Sequence, residues 1–174
     1  VADQDFDEIL LTYCENGPFP VKSPEMIIYH TKSDIFDLPT EALCHGVNIR
    51  GVTGGLAHAV FTKYPDSYQT YKEACDNGLL TTGMAFATHE YDRLIYNLTT
   101  QDNPGPSASL PWVQEAFVRM RAHAVANHVK SIACPKIGAG IGGLSWPDVE
   151  GVIKLVWETA RDIELHFVTQ EEAF

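Results

Sequence analysis

The sequence predicts an α/β fold, a three-layer α/β/α sandwich around a mixed, mostly parallel central sheet. Three observations predict it. Strand-length apolar runs alternate with amphipathic helical stretches over most of the 174 residues, the order that covers both faces of a mainly parallel sheet with helices. Two of the runs are followed first by a glycine-rich loop and then by a helical pattern, around 51–55 and 138–143. The length suits one continuous core, and no internal repeat divides it.

Each element has its own reason. Residues 3–16 place Phe6, Ile9, Leu10 and Tyr13 at helical spacing, and Asn16-Gly17-Pro18 stops the pattern. Pro18, Pro20 and Pro24 then make an extended connector, so 1–24 read as a helix and linker ahead of a domain at 25–174. The first strand is expected at 25–31 and a second at 42–47, after a turn through Leu38 and Pro39. A helix over 56–63 follows Gly51, Gly54 and Gly55, and another starts at Pro65 with Tyr68, Tyr71 and Cys75 on one face. Strands at 84–88 and 94–99 flank a turn at 90–93. Residues 100–111, with Gly105 and three prolines, form a loop at the end of a strand, either a substrate entrance or a surface crossover. The helix over 111–127 carries a stripe of Trp112, Ala116, Phe117, Met120 and Ala124. A buried strand from Ser131 ends at Pro135, and a helix over 147–160 and a last strand at 164–169 complete the order.

Composition narrows the function. With 45% hydrophobic and 20% charged residues the chain is a folded globular type, and no apolar stretch is long enough for a membrane span. The first residues carry acids where a signal peptide carries bases. The four cysteines are scattered singly, which fits reduced thiols in a cytoplasmic protein. No H-x-x-x-H or H-E-x-x-H pair is present, so neither a metal nor a cofactor is expected. A net charge of −11 argues against broad nucleic-acid binding. It leaves room for a small anionic ligand, and the chain is expected to be a monomer.

The second loop, SIACPKIGAGIGGLSW, is the stretch the chain is organised around. Its bare backbone at Gly138, Gly140, Gly142 and Gly143 brings several N–H groups close to a ligand, and its exit into a helix N-terminus suits a phosphate or diphosphate. The spacing also satisfies G-x-G-x-x-G, but a Rossmann fingerprint opens its fold and is followed by several strands. The first loop repeats the strand–glycines–helix arrangement, so the two read as opposite walls of one cleft. His45 and Asn48 precede it at a strand end. His45 is either an acid or base near neutral pH or a core histidine bonded to backbone, and the Asn48 amide can hold a hydroxyl or orient a water. Asp34 is either an acceptor for an amino group such as that of adenine or a turn-capping aspartate, and Thr99 and Thr100 are hydroxyl donors or ordinary strand threonines. No G-x-S-x-G elbow or P-loop lysine motif exists. Cys44 beside His45 points to the opposite face of its strand, so the two make no nucleophile pair.

With these residues in place, the chain resembles a macrodomain, the ADP-ribose-binding module, over roughly 26–170. The resemblance rests on SDIF at 33–36, HGVNIRGVTGGLAHAVFTKYP from His45 and PKIGAGIGGLSWPDV from Pro135. His45, Asn48 and Gly51 match the H-x-x-N-x-x-G pattern of the branch that holds the ADP-ribose 1''-phosphate phosphatases and the terminal ADP-ribose protein glycohydrolases. The resemblance implies that Asp34 and Ile35 meet the adenine. It implies that Val52, Thr53, Gly54, Gly55, Leu56 and Ala57 face Lys136, Ile137, Gly138, Ala139, Gly140, Ile141 and Gly142 across the diphosphate and distal ribose, with Gln170 flanking the adenosine. His45 and Asn48 would serve hydrolysis at the distal ribose of ADP-ribose or an ADP-ribosylated macromolecule; the other reading is a non-catalytic ADP-ribose reader. Two departures stand out. The glycohydrolase members use a lysine just after the strand matching 94–99, where this chain has Gln101, and an aspartate in the second loop, where it has Gly142.

Overall fold

The computed structural model describes residues 25–169. The helix and connector expected over 1–24, and Gln170, lie outside the described residues. Within them the chain runs β1 (Ile27–His30), β2 (Ala42–Asn48), α1 (Gly55–Lys63), α2 (Pro65–Asp76), β3 (Ala85–Glu90), β4 (Arg93–Gln101), α3 (Leu110–Ala126), β5 (Ser131–Cys134), α4 (Trp146–Trp157) and β6 (Glu164–Val168). The sheet order is β1-β6-β5-β2-β4-β3, parallel throughout except for the β3–β4 hairpin at one edge. This is the mixed, mostly parallel sheet the alternation predicts.

β2 lies between β5 and β4 and is buried on both faces, which is why ALCHGVN opens with consecutive apolar residues instead of alternating apolar with polar ones. Its side chains divide the core. Ala42 and Cys44 join the α3 and α4 stripe of Val113, Phe117, Met120, Ile153 and Trp157, whereas Leu43 and Val47 pack on the other face with Val60, Tyr64, Phe61 and Tyr71 from α1 and α2. The result is three layers. The α3 stripe differs from the sequence expectation at one position: Val113 is fully buried while Trp112 is only partly so. Helical phase explains it, since Val113 lies four residues before Phe117 and seven before Met120, in line with the buried face.

Two local features shape the carboxyl edge of the sheet. Between β2 and β4 the register shifts after Val47↔Thr99 to Asn48↔Gln101, so Thr100 is an extra residue on β4. Such a bulge bends its strand and re-aims the neighbouring side chains. Gly46 beside it leaves little room for a side chain: a Cβ there would sit 3.1 Å from the Thr100 hydroxyl, which would have to give by a few tenths of an ångström. No helix among the described residues is long and apolar enough to cross a membrane.

Candidate active site at the carboxyl edge of the sheet

Parallel sheets offer their ligand sites beyond the strand carboxyl ends, and here a cavity of about 1140 Å³ opens there. It crosses the ends of β4, β2, β5 and β6, lined in that order by Gln101, Asn48, Lys136 and Val168. Three inter-strand steps make it roughly 14 Å long. The glycine loops form its two walls, 52–59 on one side and 135–142 on the other. They touch: a Cβ on Gly54 or Gly55 would come within 3.3 or 3.0 Å of the Ile141 side chain. The expectation of two walls of one cleft therefore holds, with Ile141, 55% exposed, reaching across the middle.

The first wall is latched by Asn48. Its Nδ2 donates to the Val52 carbonyl at 2.8 Å, and its Oδ1 accepts the Arg50 N–H at 2.9 Å and the Val52 N–H at 3.4 Å. The Tyr71 hydroxyl donates to the Asn48 carbonyl at 2.7 Å, and burial pushes that phenol well above its ordinary pKa, so it stays a donor. Gly51 and Gly55 hold positive φ of 75° and 53° in the resulting loop. α1 then starts with Gly54 as N-cap and no side-chain cap. Its first-turn N–H groups therefore remain free for an anion.

The second wall closes on its own backbone. Leu144 N–H donates to Gly138 O at 2.9 Å and Gly143 N–H to Gly140 O at 3.2 Å. Among the described residues, the N–H groups of Gly140, Ile141 and Gly142 donate to no protein acceptor. Gly142 is sterically required, since a Cβ there would lie 2.7 Å from Gly138 O and 2.9 Å from Ala108 Cβ. The segment 101–109 straps both walls: Ile49 N–H donates to Gln101 O (3.2 Å), Arg50 Nε to Asp102 O (3.1 Å) and Ala108 N–H to Gly142 O (3.2 Å). Gln101 turns its amide back onto the Gly105 carbonyl.

The only ionisable side chains among the described lining residues are His58 and Lys136, both basic types. A chain of net charge −11 thus keeps carboxylates out of this cavity. Free N–H groups and two basic side chains define a site for an elongated anion.

Of the residues singled out in the sequence, Asn48, 52–57 and 136–142 line the cavity. The loop read as an entrance or a crossover contributes Gln101, Pro104 and Gly105. His45, Thr99, Thr100, Asp34 and Ile35 do not line it. His45 is fully buried in the α1-side layer, its ring edge against Phe61, with Nε2 bonded to Asn97 Oδ1 at 2.7 Å. Because Asn97 Nδ2 donates to Phe86 O and Thr88 Oγ1, the imidazole Nε2 carries the proton, leaving Nδ1 without a partner. Burial lowers its pKa to about 4 despite the Asn97 bond. The expectation that His45 points into the cleft as an acid or base is corrected: strand alternation sends it under α1, while Gly46 faces the cavity.

Thr99 is likewise internal, its hydroxyl donating to Thr81 O and accepting the Met84 N–H, both at 2.7 Å. Asp34 is exposed and its Oδ1 accepts the Phe36 N–H at 2.9 Å, the turn-capping role. Ile35 is fully buried in one cluster with Val168, which lines the cavity's β6 end. Sequence reasoning missed Gly46, Val47, His58, Ala59, Pro135, Trp146 and Val168 as lining residues. The rule that ligands sit beyond strand ends pointed to Val168, and His58, three residues after Gly55, shares the helix start with the loop.

Comparison with known proteins agrees with this geometry. The Macro domain family profile matches residues 44–153. The chain is 32% identical over 142 residues to the DNA ADP-ribosyl glycohydrolase of Thermus aquaticus, covering 77% of this chain but 39% of that protein. So this chain spans about two-fifths of that relative. It is 29% identical over 145 residues to the ADP-ribose 1''-phosphate phosphatase of Candida albicans, covering 74% of this chain and 92% of the phosphatase. The solved macrodomain of Thermus aquaticus DarG superposes with a TM-score of 0.75 at 30% identity, over 82% of this chain and 97% of that one. With the profile spanning both glycine loops and the fold reproduced in a solved relative, this chain belongs to the Macro domain family.

Proposed function

We propose that this domain binds ADP-ribose along the cavity and hydrolyses a bond at its distal ribose, freeing it from a 1''-phosphate or from an ADP-ribosylated macromolecule. The observation that supports this most is the pair of facing loops with free N–H groups, set midway along a cavity without carboxylates. A diphosphate laid there puts one nucleoside toward Val168, beside the buried Ile35 and the Asp34 turn, and the other ribose toward Asn48 and Gln101. Lys136, at the end of β5, then serves the adenosine half.

The reaction at the distal ribose rests on positioning. The water oxygen bonds to C1'', or to phosphorus in the phosphate ester, as the bond to the leaving group breaks. A diphosphate oxygen of the ligand takes the proton, because no carboxylate lines the cavity among the described residues. Asn48 has one N–H beyond its latch to Val52, and that N–H holds the ribose hydroxyl or the water. His45 acts as a positioning residue through Asn97, holding β2 and β4 together under the cavity floor. Fully buried thiols at Cys44 and Cys134 suit a reducing compartment, so a cytoplasmic monomer is part of this reading.

The folded-back Gln101 amide favours the second reading, a binder without turnover. The test is titration with ADP-ribose followed by product release from ADP-ribose 1''-phosphate, carboxyl-linked ADP-ribosyl protein and ADP-ribosylated DNA. Heat of binding and release from at least one substrate are expected. Binding without any release selects the reader, and absence of heat at millimolar ADP-ribose overturns both.

A further inference from the structure

The cavity contains one imidazole. His58, on the opening turn of α1, lines it and is exposed, and its ring makes no hydrogen bond among the described residues. The chain has seven histidines, and that combination singles this one out. His30 and His166 bond to each other, His45 to Asn97 and His123 to Tyr96. His89 pairs with Leu94 at the start of β4 and His128 precedes β5, so both lie at the amino edge, the opposite end of the sheet. No other described lining side chain is of a type that titrates near neutral pH, since the remaining ionisable one is Lys136.

Helical phase sets which half of the cavity it serves. Leu56 packs with Ile35 and Val168, toward β6, whereas Ala57 packs with Val47 and Tyr71, the tyrosine that holds the Asn48 carbonyl. At 3.6 residues per turn His58 lies about 100° beyond Ala57 and about 160° from Leu56, so it belongs to the Asn48 flank. Helical side chains also lean toward the helix N-terminus, which brings the ring back over the Gly54 turn. Under the reading above, on which this inference rests, that is the distal ribose half.

We infer that His58 is the catalytic acid of the distal-ribose reaction, giving its proton to the atom that leaves. With the 1''-phosphate, the water oxygen bonds to phosphorus, the bond from phosphorus to the C1'' oxygen breaks, and the electron pair stays on that oxygen as an alkoxide. His58 protonates the alkoxide, the diphosphate takes the proton from the water, and the exposed imidazole regains its own from solvent. A carboxyl-linked substrate needs no such step. Its leaving oxygen departs as a carboxylate, which is stable at neutral pH without a proton. The two substrates therefore separate an acid from a residue that only helps to bind.

The test is turnover of ADP-ribose 1''-phosphate and of a carboxyl-linked ADP-ribosyl peptide by the wild-type chain, His58→Gln and Lys136→Gln, with ADP-ribose affinity measured by calorimetry for each. His58 is exposed and, among the described residues, bonded only through its backbone, so His58→Gln is expected to fold normally. Loss of one basic side chain is expected to weaken ADP-ribose binding by about threefold at most in either variant. Phosphate release by His58→Gln is expected to fall about a hundred- to ten-thousandfold, the contribution of a positioned acid, while peptide release falls no further than affinity does. Lys136→Gln is expected to slow both substrates equally, and only as far as it weakens binding. Added imidazole should restore part of the phosphate release to His58→Ala.

Equal losses on the two substrates, or phosphate release by His58→Gln within about threefold of wild type, would overturn the inference and leave the reading above standing. Turnover of the peptide alone by the wild-type chain would do the same, because no leaving atom there needs a proton. If the wild-type chain binds ADP-ribose but turns over neither substrate, this inference falls while the binding site stands; if it binds no ADP-ribose, the underlying reading falls with it.

Discussion

The first glycine loop is held by side chains and the second by backbone. Asn48 clamps residues 50–52 with three hydrogen bonds while the Tyr71 hydroxyl holds the Asn48 carbonyl, and the glycines there serve positive φ at 51 and 55. In the second loop the bonds run from N–H to carbonyl within 138–144, and Gly142 is present because neighbouring atoms fill the place of its Cβ. Similar composition thus hides different construction. A side-chain latch fails when its amide is removed, whereas a backbone turn fails only when something is added.

The feeding strands differ as well, and there the largest effect is expected. β2 brings the fully buried His45, whose pKa is about 4 in the folded chain and about 6.5 when unfolded. Between those values the unfolded chain takes up a proton that the folded chain refuses. Stability is therefore complete above about pH 6.5 and falls on acidification, by on the order of 3 kcal/mol near pH 4. Denaturant titrations across this range should show the decline, and His45→Gln should flatten that component. An unchanged slope in the variant would mean that the imidazole titrates freely and is not sealed under α1.

Gly142→Ala should cost about 1–3 kcal/mol by overpacking, and shift the loop enough to weaken ADP-ribose binding at least tenfold. Thermal melts and calorimetry would measure both. Asn48→Ala should cost about 1–2 kcal/mol and weaken ADP-ribose binding less than it slows product release. If affinity and turnover fall equally, Asn48 only latches the loop. Gly140→Ala should be the mildest. Nothing lies within 4 Å of the added carbon and the backbone φ is not positive, so stability should move by less than about 0.5 kcal/mol. A large loss there would show that the second loop needs bareness at every glycine.

Much of the site was legible because it is written in local backbone chemistry. Glycines 54, 55, 138, 140 and 142 announce loops that side chains cannot block, and all of them line the cavity. The crowding around Gly142 shows that its bareness is built into the turn. His45 was not legible. The three residues after it, Gly46, Val47 and Asn48, line the cavity, and only the packing of β2 against Phe61 on α1 decides that the ring goes underneath.

By itself the sequence determined the alternation of strands and helices, the two bare loops and the exclusion of a broad basic surface, because each depends on residues adjacent in the chain. Tertiary structure decided which side chains of a strand end meet the cavity, and it placed Ile141 against Gly54 and Arg50 beside Asp102. Those pairings join segments some fifty to ninety residues apart. Their geometry follows from sheet order and one bulge at Thr100, which no local pattern encodes.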